Sequence, residues 1–332
     1  MRQRMMILGF PVKWVIGIVV ICVVVVAVIA GLNSRSPEPN NTPTRESAIP
    51  KDAVKVTPET DVFRPILHSD EWNEPVPLSQ AINTAGGEDS AFVMPDGNTL
   101  YFFFTPNVTV PVEKQLLDGV TGIYVSRKQN NTWSTAERVV LQDSGKLALD
   151  GAAFVLNDTM WFASAREGYT GVNLFTAKFI NGKWANWQYA GDKLNEEYQV
   201  GEMHITADGN TLYFHSARDG GKGQYDIWIT KKVNGEWQQP ENIEAVNSAE
   251  NEGWPFISQD GSELWFTRTY LGSPAIYRSK NVNGNWSAPE LILSQFAAEP
   301  TLDNGGNLYF VHHYFNNSSK MIEADIYVAY RK

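Results

Sequence analysis

Residues 204 to 228 read HITADGNTLYFHSARDGGKGQYDIW. The apolar positions of HITA and TLYFHS alternate, which is the two-residue period of half-buried strands. Between them, Asp208-Gly209 supplies the positive φ values that a tight hairpin requires. SARDGGKGQ is rich in glycine and leads into a third strand, DIWIT. This stretch therefore predicts an antiparallel meander rather than a helical segment.

The same pattern recurs along the chain. Its central element appears as LYF (100–102), MWF (160–162), LYF (212–214), LWF (264–266) and LYF (308–310), at spacings of 44 to 60 residues. Turn pairs precede four of these: Asp96-Gly97, Asp208-Gly209, Asp260-Gly261 and, less regularly, Asn304-Gly305. A third strand follows each one (GIYVS, NLFTA, DIWIT, AIYRS, DIYVA). In four units an Asn-Gly or Asn-Asn turn then leads to a strand centred on Trp133, Trp184, Trp237 or Trp286. Four strands per repeat is the signature of a propeller blade, and tryptophans in outer strands are expected to pack between hairpins.

The fifth unit, from Glu299 to Lys332, has three strands and then the chain ends. Its counterpart to the tryptophan strand is SDEWNEPVPL (69–78), which matches NGEWQQPENI across Trp72 and Pro75. The expected fold is thus all-β, a five-bladed β-propeller over residues 61–332. An N-terminal strand joins the last blade, so no open sheet edge separates first and last units.

ITADGNTLYFHSARDGGKGQYDIW and ISQDGSELWFTR resemble the WD40-like repeats of the TolB-like β-propeller family. The resemblance covers about residues 69 to 332 and implies a propeller fold. Proteins of that family typically have six blades and an N-terminal domain, whereas this chain reads as five blades behind a membrane anchor, so the family's interactions do not carry over. Prolyl-oligopeptidase-like enzymes also use a propeller with an appended hydrolase domain; no such domain is expected here, since these residues hold no G-x-S-x-G motif.

Ahead of the repeats, VIGIVVICVVVVAVIAGL (Val15 to Leu32) is uncharged over 18 residues. At 1.5 Å per residue a helix of that length spans ~27 Å, close to a bilayer's hydrocarbon core. Arg2, Arg4 and Lys13 precede it, so the positive-inside rule places residues 1–14 in the cytoplasm and the propeller outside it, periplasmic or extracellular. A cleaved signal peptide is the competing reading. Residues 33–60 contain five prolines and few large apolar side chains, and are expected to form a disordered, solvated linker. Cys22, in the apolar run, is the only cysteine, so the repeats can form no disulfide.

Net charge is -10, with seven Lys/Arg against four Asp/Glu in residues 1–60 and therefore 20 against 33, or -13, in the rest. So acidic a surface repels phosphate backbones and argues against nucleic-acid partners.

Acidic residues recur where the chain enters each innermost strand: Glu88 and Asp89, Asp150, Glu202, Glu252, and Glu299. Repetition points them at the mouth of a central channel, on the face that carries the long loops TPNVTVPVEKQLLDGVTG and HHYFNNSSKMIEA. One reading makes them scaffold, accepting hydrogen bonds from loop amides. The other makes them an anionic ligand site, with Trp254, Tyr169, Tyr270 and Tyr314 as aromatic faces and Arg166 and Arg218 as clamps for a ligand carboxylate. Asp226 and Asp325 are expected to cap the loops before their strands.

The expected function is a membrane-anchored binding or scaffold module whose partner is a cell-envelope protein or a glycan. The enzymatic alternative is a glycoside hydrolase. Five-bladed propellers with convergent carboxylates resemble the arabinanase type, which would make Asp89, Glu202 and Glu252 the catalytic acids. No cofactor is expected. His68, His204, His215, His312 and His313 show no metal-ligand spacing beyond the adjacent pair, so no metal is expected either.

Overall fold

The computed structural model describes residues 43–332. The apolar run Val15 to Leu32 and the first part of the linker lie outside the described residues. Among the described residues no helix is long and apolar enough to cross a membrane.

The described chain is all-β. Its strands form antiparallel meanders, the first built from Gly87–Val93, Thr99–Thr105 and Gly122–Gln129 with short outer pieces at Thr132–Trp133 and Glu137–Arg138. The second runs through Ala148–Leu156, Thr159–Arg166, Val172–Ile180 and Lys183–Tyr189. The third comprises Met203–Ile205, Thr211–Ser216 and Asp226–Val233 with Glu236–Trp237 and Glu241–Asn242. A fourth follows in Glu252–Ile257, Glu263–Tyr270, Ser273–Val282 and Glu290–Ser294. The last contains Ala297–Leu302, Leu308–Phe315 and Met321–Ala329. The innermost strands touch one another in chain order, and the last touches the first.

Turn chemistry explains the hairpins. Gly97, Gly209 and Gly261 adopt positive φ, as do both residues of Asn130-Asn131, Asn181-Gly182, Asn234-Gly235 and Asn283-Gly284. In the irregular turn the positive φ falls on Gly306, one residue beyond the expected Asn304-Gly305 pair. Core residues cluster between neighbouring meanders. One cluster joins Phe92 and Tyr101 to Phe154, Phe162, Met203 and Phe214; another joins Phe102 and Phe104 to Tyr309 and Ile326.

The N-proximal ribbon lies on the last meander. Val76 pairs with Val328, Pro77 with Tyr327, and Trp72 bridges to Arg331. Trp72 is 1% exposed, meets Trp265 edge to face at 5.5 Å and donates through Nε1 to the Gly306 carbonyl at 2.9 Å. An additional strand, Ile66–Leu67, pairs with Leu293 and Ser294 on the outer edge of the fourth meander. The N-proximal segment therefore supplies the outer strand of the last meander, as expected, and also adds an edge strand to the fourth.

Residues 43–60, expected to be solvated linker, pack against the sheets. Arg45, in the short helix Arg45–Ala48, is 4% exposed and donates to the carbonyls of Ile82 and Ala81 at 2.8 and 2.9 Å. Lys55 pairs with Glu323 and Asp325. Low apolar content did not leave this segment free, because a buried arginine with carbonyl partners and a half-buried lysine with carboxylate partners hold it.

Candidate functional site

The repeated acids occupy different places in the repeat. Val93, Val155, Ile205, Ile257 and Leu302 pair with Leu100, Met160, Leu212, Leu264 and Leu308, which fixes a common register. Five residues earlier stand Glu88, Asp150, Val200, Glu252 and Ala297. Four residues earlier stand Asp89, Gly151, Gly201, Gly253 and Ala298; three earlier stand Ser90, Ala152, Glu202, Trp254 and Glu299. In four of the strands the ladder slips over this stretch, and Ser90, Ala152, Trp254 and Glu299 take φ of 47, 49, 51 and 59°. A bulge of this kind re-aims the side chains around it.

The first position holds architecture. Glu88 accepts from the Thr84 amide at 2.9 Å and the Thr84 hydroxyl at 2.6 Å, with Arg45 3.8 Å away. Glu252 repeats this with the amide and hydroxyl of Ser248 and adds Arg268 Nε at 2.7 Å. Asp150 accepts from the Ser164 hydroxyl at 2.6 Å and Arg166 Nη2 at 2.7 Å. Burial, reinforced by Asp325, pushes Glu88 up to about 8, and burial also raises Glu252 despite its partners. These three acids tie loops and strands together and do not line the cavity described next.

The other positions converge. A cavity of about 510 Å³ opens on the long-loop face, and its walls include Asp89, Glu202, Glu299, His215, His313 and Trp254. Val108, Val112, Phe103, Leu149, Leu174, Phe296 and Phe315 give it a largely apolar surround. Below it the channel is stoppered. The His204 ring lies 4.4 Å from that of Phe154, 4.6 Å from Phe256 and 6.0 Å from Phe92. The site is therefore a blind cup. Burial lowers His204 to about 3 and His215 to about 4, so both imidazoles are neutral at pH 7.

Charge at the floor is concentrated. Asp89 Oδ1 is 3.7 Å from His313 Nε2, and ligand atoms of Asp89, Glu299 and His313 all lie within 4.8 Å of one another. Burial opposes ionisation of Asp89, yet His313 and the Ser90 amide outweigh it and hold the carboxyl below its usual value. Burial, and then the charge of Asp89, drives Glu202 up to about 8; burial, with the charges of Asp89 and Glu202, raises Glu299 well above its usual value. One carboxyl held low beside two pushed up is what mutual repulsion in a desolvated site produces.

Of the expected site residues, Asp89, Glu202, Glu299 and Trp254 meet at the cup, and Glu88, Asp150 and Glu252 do not. Arg166 is no clamp: it is 4% exposed, bound to Asp150 and stacked 4.3 Å from the Trp187 ring. Arg218 sits 4.9 Å from the Trp228 ring, outside the cup lining. Tyr314 is 1% exposed and bonded to Asp325 and Tyr327. Tyr169 packs on Phe175 and Tyr189, and Tyr270 does not line the cup. Asp226 caps the Lys222 and Gly223 amides as expected, whereas Asp325 is taken by Lys55 and Tyr314.

His215 and His313 were not expected at the site. A signal for His215 lies in the register: the residue three after the Leu or Met of each central element is Phe103, Ala163 or His215 in the first three units, and all three line the cup.

No family model and no curated protein matches the chain. Solved structures similar to it include a protein described as TolB from Agrobacterium tumefaciens, at 14% identity over 75% of this chain and 84% of that one, with a TM-score of 0.42. TolB from Acinetobacter baumannii is 12% identical over 76% of this chain and 56% of its own, TM-score 0.43. An endo-arabinase from Bacteroides thetaiotaomicron is 15% identical over 82% and 99%, TM-score 0.47. The propeller reading rests on the chain's own strand pairing.

Proposed function

We propose that residues 61–332 form a five-bladed β-propeller, one blade per meander, acting as a binding module through the cup on its long-loop face. The carrying observation is the cup's composition. A blind cavity of about 510 Å³ with apolar walls and a few convergent polar groups at its floor has the size and pattern of a site for a small molecule or an inserted side chain. Its ligand has an apolar body and one polar head that reaches Asp89, Glu202, Glu299 and His313. An apolar partner-protein segment or a small amphiphile fits better than a glycan, because a sugar needs hydrogen-bond partners along its length and these walls offer few. Anchoring through Val15 to Leu32, with the cup outside the cytoplasm, belongs to the same proposal and is supported by sequence alone.

Calorimetric titration with 1-octanol and with an arabino-oligosaccharide tests this. Saturable octanol binding that is lost in Ala163→Trp, which fills the cup, supports it; saccharide binding without octanol binding contradicts it.

One observation favours the enzymatic reading. Asp89 below its usual pKa beside Glu202 at about 8 is a base and an acid in one cleft. Glu299 then takes the place expected for Glu252, which is engaged by Arg268 and Ser248. Loss of glycosidase turnover in Glu202→Gln, with the fold intact, would establish it.

A further inference from the structure

We propose that Asp89, Glu299 and His313 form a binding site for one divalent first-row transition-metal ion, with the remaining coordination position facing the cup. The three donors come from different strands: Asp89 from Gly87–Val93, Glu299 from Ala297–Leu302 and His313 from Leu308–Phe315. Their ligand atoms already lie within 4.8 Å of one another, and the Asp89–His313 pair is at 3.7 Å. Two donors about 2.1 Å from a tetrahedral ion stand roughly 3.4 Å apart, so small side-chain rotations close the set.

A second observation is independent of this clustering. Glu299 Oε2 and His313 Nε2 are without a hydrogen-bond partner, on residues 5% and 7% exposed, and both residues line the cup floor. A buried carboxyl oxygen and a buried ring nitrogen that make no hydrogen bond carry a desolvation cost, which a shared ligand would remove. An ion satisfies both atoms at once, where a hydrogen bond between them would leave Asp89 facing a second carboxyl.

The donor set selects the ion. One imidazole and two carboxylates suit zinc and its first-row neighbours, whereas calcium calls for six to eight oxygens and magnesium keeps most of its waters. Three protein donors around an open position leave room for an oxygen of whatever enters the cup. This inference does not depend on which ligand that is.

Full-length protein stripped with a chelator and titrated with ZnCl2 by calorimetry is the test. One equivalent should bind, and Asp89→Asn, Glu299→Gln and His313→Gln should each weaken binding at least tenfold. His204→Phe, which leaves all three donors in place, should bind as the parent does. X-ray absorption at the zinc edge should report one imidazole nitrogen in a shell otherwise of oxygen. The inference is overturned if folded protein takes up no equivalent of zinc, if the Asp89→Asn/Glu299→Gln double variant keeps the parental affinity, or if Ca2+ binds more tightly than Zn2+. Circular dichroism of each variant separates loss of the site from loss of the fold.

Discussion

Trp72 and Arg331 form an antiparallel bridge across 259 positions of sequence, and the Arg331 guanidinium lies 4.3 Å from the Trp72 ring centre. The first described strands and the last thus hold each other. Replacing Trp72 by Ala removes a fully buried indole, its contact with Trp265 and its hydrogen bond to Gly306, a loss of about 3–5 kcal/mol. Urea unfolding should show the midpoint falling accordingly. An unchanged midpoint would mean that the ribbon does not close the fold.

Glu71, one residue before that indole, binds Arg278 of the fourth meander and Arg331 at the end of the chain. Hydrogen bonding from Arg278, more than any other interaction, holds its carboxyl down to about 2. A depressed carboxylate contributes stability that is complete above the unfolded value near 4.5 and is lost as pH falls through about 2. Allowing for solvent screening of a carboxylate 29% exposed, Glu71→Gln should cost about 1–2 kcal/mol at pH 7. The difference from the parent should close towards pH 2, as followed by thermal melts across the acid range.

His204 stands where Phe92, Phe154 and Phe256 stand in other units. Its folded pKa of about 3 lies below the unfolded value near 6.5, so the unfolded chain takes up the proton first. The sign is fixed: stability is full above about pH 6.5 and falls as pH drops towards 3, by about 2 kcal/mol at pH 5. His204→Phe should remove this loss, making the variant more stable than the parent at pH 5 and flattening the slope. A steeper acid slope in the variant would contradict the placement of a neutral histidine in the stopper.

Gly201 lies in the cup wall, and a Cβ there would come 2.3 Å from His215 Nε2. Gly201→Ala should therefore displace the His215 ring and weaken binding of an apolar probe to the cup. Gly235→Ala, at an exposed turn where φ is 84° and nothing lies within 4 Å of the new Cβ, should affect stability through backbone strain but leave probe binding unchanged. Titration of both variants with octanol distinguishes the effects.

Most of the fold was legible because turn residues and strand alternation are local. Asp-Gly and Asn-Gly pairs need particular backbone angles whatever surrounds them, and the match of Trp72 and Pro75 to Trp237 and Pro240 located the ribbon's partner. Two features escaped that reading. Ile66–Leu67 carries too little pattern to reveal an edge strand, and residues 43–60 are held by Arg45 and Lys55, whose partners lie far away in sequence. The site was only half legible for a different reason. Glu88, Asp89 and Glu299 look alike along the chain, yet the strand bulge sends one to a loop amide and the others to the cup. A shift of one residue changes the face a side chain meets. The floor histidine, His313, gave no signal beyond its adjacency to His312, whose ring turns the other way to bind Asp61 at 2.9 Å.

Everything proposed for the cup depends on this division of the acids, and a comparison of Glu252→Gln with Glu202→Gln by calorimetric melting at pH 7 tests it most directly. Glu252→Gln should lose about 5–10 °C, because Arg268 and the Ser248 amide are left with a weaker acceptor in a buried place. Glu202→Gln should melt close to the parent temperature, because a carboxyl raised to about 8 is already largely neutral at pH 7 and glutamine has its shape. A Glu202→Gln protein as destabilised as Glu252→Gln would show that both carboxylates are scaffold and would contradict the account.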